Sequence, residues 1–162
     1  MELLVLRHGI AEDHAEEDAQ RRLTAEGKQK MKQGAKGLRT LIPRIDLLAT
    51  SPLARAVETA EILAEVYDGQ DPVVTPVLAP GQGPQAVAAW LETQAAHGTV
   101  AIVGHEPALS TAVSWLVAGV ERPIIELKKG GACLVGFGAR IGAGEGLLQW
   151  LVTPRLLREL RD

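Results

Sequence analysis

The chain has 162 residues, a formal net charge of -3 and a hydrophobic fraction of 46%. This suits one compact domain over residues 1–162 with enough apolar material for a core, and the slight negative charge gives no reason to expect nucleic acid or an anionic membrane as a partner. Three Trp, one Tyr and one Phe offer little on which bases could stack, and a single cysteine, Cys133, excludes an internal disulfide and argues against a cysteine zinc site.

Glu2–Leu6 predicts a short buried strand that runs out at Arg7-His8-Gly9. Ala11–Gln20 is polar and acidic and reads as a loop with Glu12, Asp13, Glu16, Glu17 and Asp18 in solvent. Thr24 is placed to cap a helix reaching about Leu41, with Ala25, Met31, Ala35, Leu38 and Leu41 as its apolar stripe. Gly27, Gly34 and Gly37 run against that helix, since each costs roughly 1 kcal/mol relative to alanine. Ile45–Thr50 predicts the second strand. Ser51-Pro52 then reads as an N-cap followed by proline at the first helical position. That helix continues to about Tyr67, burying Leu53, Val57, Ala60, Leu63, Ala64 and Tyr67. Val73–Val77 predicts a short strand, Gln85–Ala96 a helix, Thr99–Gly104 a further strand, and Pro107 the start of a helix to about Ala118. Cys133–Phe137 and Leu147–Val152 read as an antiparallel hairpin about a glycine-rich turn, with Cys133 a buried strand residue. From Pro154 onward a short terminal helix is expected.

No basic stretch followed by a long apolar one opens the chain, so no signal peptide is expected. The most apolar later segment, Ala112 to Val120, falls short of the roughly 20 residues that span a bilayer. A soluble cytoplasmic protein is the expectation.

Strands alternating with helices predict a three-layer α/β sandwich, its central sheet mostly parallel and covered by helices on both faces. Ligands of such sheets bind beyond the carboxyl ends of the strands. The first strand delivers Arg7 and His8 there. The second delivers Ser51-Pro52, with Arg55 on the turn that follows. The Thr99–Gly104 strand delivers His105, then Glu106-Pro107. Two arginines, two histidines and two helix N-termini therefore meet at one edge, a setting for an oxyanion such as phosphate. Arg7 offers a planar fork for phosphate oxygens. A His8 held neutral among cations keeps a lone pair and can act as a nucleophile. Gly9 is expected to let the chain turn sharply and to keep the approach to His8 open. Singly, each residue would pass as structural; their shared placement at three strand ends carries the functional reading. His14 and His97 lack such company and are expected at the surface, and Glu58 is placed either to orient the Arg55 guanidinium or to form a surface ion pair.

Leu6-Arg7-His8-Gly9, Leu23-Thr24-Ala25-Glu26-Gly27, Ser51-Pro52-Leu53-Ala54-Arg55-Ala56 with Thr59-Ala60, and Val103-Gly104-His105-Glu106-Pro107 together resemble the motifs of the histidine phosphatase superfamily, which includes the cofactor-dependent phosphoglycerate mutases. In its short length the chain looks most like the SixA-type phosphohistidine phosphatases. The resemblance implies a phosphoglycerate mutase-like fold. It implies that His8 is transiently phosphorylated, that Arg7, Arg55 and His105 hold the phosphoryl oxygens with Gly9 and Glu106 beside them, and that no metal or other cofactor takes part. The implied substrate is phosphohistidine in a partner protein, such as a histidine phosphotransfer domain; the alternative is a phosphatase or mutase for a small phosphorylated metabolite, and a third reading is a phosphate-sensing module without turnover. Larger members supply a carboxylic acid for the leaving oxygen, but Thr75-Pro76-Val77-Leu78-Ala79-Pro80-Gly81 contains none, which leaves Glu106 and Glu58 as candidates.

Overall fold

The computed structural model describes residues 1–161. In chain order they form β1 (Glu2–Arg7), α1 (Ala25–Leu41), β2 (Leu47–Thr50), α2 (Ala54–Val66), β3 (Val73–Val74), α3 (Pro84–Thr93), β4 (Thr99–Gly104), α4 (Ala108–Ala118), β5 (Ala132–Phe137), β6 (Gly146–Val152) and α5 (Pro154–Glu159). The strands make one six-stranded sheet in the order β3-β2-β4-β1-β5-β6. β3, β2, β4 and β1 run parallel, β5 pairs antiparallel with β1, and β6 pairs antiparallel with β5. This is the mixed α/β sandwich with a mostly parallel sheet that the alternation of elements predicts.

Two cores fill the space on either side of the sheet. Leu4, Leu6, Leu48 and Val103 pack with α1, α2 and Leu157 of α5; Leu3, Val5, Ala49 and Ile102 pack with α3 and α4. The central strands are buried on both faces and are for that reason continuous apolar runs rather than alternating ones. Cys133 is fully buried in β5, and burial pushes its thiol up to about 12. A bulge at Leu134/Val135 sets Leu148 against one core and Trp150 against the other. Among the described residues, no helix is long and apolar enough to cross a membrane.

Helix α1 starts as expected, with Thr24 Oγ1 accepting from Gly27 N–H at 2.9 Å. Two of its three glycines, Gly27 and Gly37, are requirements of packing rather than weaknesses. A Cβ at Gly27 would collide with the Ile10 carbonyl, and one at Gly37 with the Leu157 carbonyl.

Four boundaries differ from the sequence reading by two residues or more. β2 begins at Leu47 rather than Ile45. β3 is only Val73–Val74, because Pro76 lacks an N–H for the ladder and instead opens a 3-10 turn over Pro76–Leu78. α3 ends at Thr93 rather than Ala96. α2 begins at Ala54, with Leu53 at the N-cap position, so Ser51 does not cap it. Ser51 turns the other way, toward β4, and the chain bends through Pro52 and Leu53 before the helix starts.

Candidate active site

The register of the central strands builds the site. Arg7 on β1 pairs with Gly104 on β4, and Thr50 on β2 pairs with Val103 on β4. The residues that follow the strands therefore meet at one edge: His8 is level with His105, and Ser51 is level with Gly104, one step before His105. His8 N–H donates to the Gly104 carbonyl at 3.1 Å, and Ser51 N–H to Val103 at 3.0 Å. The His8 and His105 ring centroids are 5.2 Å apart. From the turn before β5, Gly130 donates to the carbonyls of Arg7 and His8, both at 3.1 Å. Its φ of 80° is one that glycine adopts freely.

Each side chain is held by the scaffold at one end. His8 Nδ1 lies 2.7 Å from the Gly9 carbonyl. A carbonyl can only accept, so Nδ1 carries the proton and Nε2 keeps its lone pair. Burial pushes His8 down to about 3; the Gly9 hydrogen bond opposes this, and His105, Arg55 and Arg7 add to it. His105 is brought down to about 4, again by burial first, then by Arg55. Both rings are neutral near pH 7, and burial contributes more to this than the cations on which the sequence argument rested.

Arg7 donates from Nη1 to the Leu127 carbonyl at 2.9 Å. Arg55, 5% exposed, gives Nη1 to the Asp18 carbonyl at 3.0 Å and Nη2 to the Asp18 carboxylate at 3.2 Å. His105 Nε2 is 2.7 Å from Ser51 Oγ. What these anchors leave over is informative. Among the described residues, the buried side-chain nitrogens and oxygens with no hydrogen-bond partner are Arg7 Nε, Arg55 Nε, His105 Nδ1 and Asp46 Oδ1. The last has the Arg44 guanidinium at 2.6 Å. The other three belong to the residues expected to hold a phosphoryl group. Buried polar groups normally find partners, so a cluster of unpartnered nitrogens marks a place shaped for a ligand that accepts hydrogen bonds.

Other expected site residues lie elsewhere. Gly9 has no positive φ; a Cβ there would come within 3.1 Å of Met31 Cγ and would press that side chain aside by a few tenths of an ångström. Its N–H donates to Thr59 Oγ1 at 3.1 Å and is not offered to a ligand. Glu106 turns back onto its own helix, accepting from Ser110 N–H at 2.8 Å and from the Ser110 hydroxyl. Glu58 does not orient Arg55; it forms ion pairs with two exposed cations, as the alternative reading has it, but from a buried position. It accepts from Leu23 N–H at 2.6 Å and is bridged by Arg22 at 2.9 Å and Lys28 at 3.4 Å, tying the Leu23-Thr24 segment to α2. The carboxylate on Arg55 is Asp18, which the sequence placed in solvent. Its exposed side chain also accepts from Arg21 at 2.9 Å, and chiefly through that bond it is held below the usual carboxylate range. Asp18 carries no local signal of this role, because its partner Arg55 comes from a distant stretch of chain. His14 is exposed and His97 half-buried, both apart from the constellation.

The model of the histidine phosphatase superfamily (branch 1) matches residues 3–79. An uncharacterized protein of Picosynechococcus sp. (strain ATCC 27264 / PCC 7002 / PR-6) is 40% identical over 147 residues, covering 88% of this chain and 87% of that protein. The structure of the protein histidine phosphatase SixA complexed with tungstate superposes with a TM-score of 0.86 at 25% identity, over 97% of this chain and 99% of that one. The chain belongs to the histidine phosphatase superfamily, and within it to the SixA type. On that membership the protein is a phosphatase. More distant folds of the same kind are a phosphoserine phosphatase variant from Entamoeba histolytica in complex with phosphoserine, with a TM-score of 0.73 and 15% identity over 95% of this chain and 98% of that one, and the alpha-ribazole phosphatase of Shigella flexneri, with 0.72 and 19% over 95% and 97%. In this histidine phosphatase the RHG segment closes β1, and the second histidine closes the neighbouring strand β4.

Proposed function

We propose that this histidine phosphatase transfers a phosphoryl group from its substrate to Nε2 of His8, and that water then releases phosphate from phospho-His8. The observation that carries the reading is the trio of unpartnered buried nitrogens, Arg7 Nε, Arg55 Nε and His105 Nδ1, about a neutral histidine whose lone pair is free. In-line transfer places most of the demand on positioning and on stabilising charge over the phosphoryl oxygens, and these donors are already held in place by Leu127, Asp18 and Ser51.

The substrate we infer is phosphohistidine presented by a partner protein. An alkoxide leaving from phosphorus needs a proton from a general acid. Of the carboxyl groups near the constellation, Glu106 is engaged by Ser110, Glu58 by Leu23, Arg22 and Lys28, and Asp18 is held ionised by Arg21 and Arg55. Each is already taken up by hydrogen bonds or ion pairs within the protein. An imidazole leaving through a P–N bond departs without that help when its ring is already protonated. The likeness to SixA, a protein histidine phosphatase, supports the same substrate class. The distant likenesses to phosphatases of small molecules make the comparison worth testing directly. We also infer that no metal is required: among the described residues, no three His, Cys, Asp or Glu side chains gather as a metal site would need.

The test is kcat/KM for a phosphohistidine peptide, phosphoserine and phosphoglycerate in buffer freed of divalent ions. Turnover of the peptide far above the two esters is expected. Phosphoglycerate as the best substrate, or activity that returns only with a divalent ion, would refute the corresponding part of the reading.

A further inference from the structure

Ser51 is fully buried, and its backbone is fixed from two sides: its N–H donates to Val103 at 3.0 Å, and its carbonyl accepts from the Thr50 hydroxyl at 3.1 Å. Its Oγ accepts from Leu53 N–H at 3.3 Å and lies 2.7 Å from His105 Nε2. A serine hydroxyl has one proton and two lone pairs. Leu53 takes a lone pair. Among the described residues, His105 Nε2 is the sole acceptor in reach of the proton. The opposite arrangement, Nε2–H donating to Oγ, would strand a buried hydroxyl proton without an acceptor, which folded proteins avoid.

We propose that Ser51 is a positioning residue: its hydroxyl donates to Nε2 of His105 and so holds that ring as the Nδ1–H tautomer, with an N–H donor left over for an oxygen of the transferring phosphoryl group. The proposal rests on the reading that this group sits among Arg7, Arg55 and His105. It gives the two histidines complementary tasks from one tautomer. Gly9 accepts from His8 Nδ1–H and frees the Nε2 lone pair for attack. Ser51 donates to His105 Nε2 and frees the Nδ1–H for binding. His105 then works as a neutral donor and exchanges no proton with the substrate.

The test is the long-range 1H–15N spectrum of the imidazoles at pH 7, with His8→Ala and His105→Ala for assignment. It needs no Ser51 variant. Both rings are expected as Nδ1–H tautomers. In Ser51→Ala, His105 should shift toward the Nε2–H form, and kcat/KM for nitrophenyl phosphate should fall about 10- to 100-fold, mainly in kcat. Ser51→Thr, which keeps the hydroxyl, should recover the tautomer. An Nε2–H His105 in the wild type, or a Ser51→Ala protein with unchanged tautomer and rate, overturns the proposal. The expected tautomer in a protein that hydrolyses no phospho-compound would support the Ser51–His105 bond and refute the phosphatase mechanism instead.

Discussion

The rings of His8 and His105 stand with centroids 5.2 Å apart and planes inclined at 52°, two bases side by side at the ends of adjacent parallel strands. Burial, with a contribution from the other ring for His8, keeps them from charging, at about 3 for His8 and about 4 for His105 against an ordinary 6.5. A histidine whose folded pKa is depressed leaves the unfolded chain binding more protons below 6.5. Stability therefore falls as the pH drops from 6.5 toward 4, with a slope of up to about 1.4 kcal/mol per pH unit for each ring. Above 6.5 these two rings add no pH dependence. A histidine NMR titration should find both still neutral at pH 6, and urea midpoints should decline from pH 6.5 to 4.5. A ring titrating near 6.5 would refute the buried environment described here.

His8→Ala should abolish turnover, since no other group in the constellation has a free lone pair. The wild type, quenched during turnover, should carry phosphate that is labile in acid and stable in alkali, as a P–N bond is. An acid-stable label, or an active His8→Ala protein, would contradict the assignment.

Arg7→Ala, Arg55→Ala and His105→Ala should each lower kcat/KM by at least 10²-fold, the loss expected for one preorganised donor of about 2.7–4 kcal/mol. Chemical denaturation should show far smaller losses of stability for Arg7→Ala, because its Nε is buried without a partner. A near-wild-type rate in either arginine variant would move the phosphate pocket elsewhere.

The rate should fall steeply as the leaving group becomes more basic, for want of a proton donor. A series of aryl phosphates of graded phenol pKa measures this. A flat dependence would mean that a carboxyl group does protonate the leaving oxygen, and Asp18→Asn would be the first variant to examine.

Gly37→Ala should destabilise the fold by about 1–3 kcal/mol, although alanine is the better helix former. The new Cβ would meet the Leu157 carbonyl, part of the backbone of α5. Urea denaturation decides the sign. A neutral or stabilising result would show that α5 can shift away from α1 at little cost.

The sheet and the core of the site were legible because their signals are local. Apolar runs of strand length mark β1, β2 and β4, and the charged residues directly after them must arrive at one edge once the strands are parallel. What escaped the sequence depends on partners far along the chain. Nothing near Asp18 announces Arg55, and nothing near Glu58 announces that Arg22, Lys28 and the Leu23 amide converge on it. Ser51-Pro52 fits a helix cap as well as it fits a strand end, and only the presence of β4 decides between them. Helix propensity alone makes the glycines of α1 look like weaknesses; the reason for Gly27 and Gly37 is the backbone of Ile10 and Leu157 passing too close for any side chain.

The order of the strands has a kinetic consequence. β1 sits between β4 and β5, so the residue pairs that bring His8 beside His105 are separated by almost a hundred positions, as in the pairing of Arg7 with Gly104. Helices form from neighbours within microseconds, whereas such distant parallel pairing must first overcome the entropy of closing long loops. During refolding from denaturant, helical signal should therefore return well before any phosphate-binding capacity does. The anion pocket cannot exist in part; it appears only when the middle of the sheet has closed.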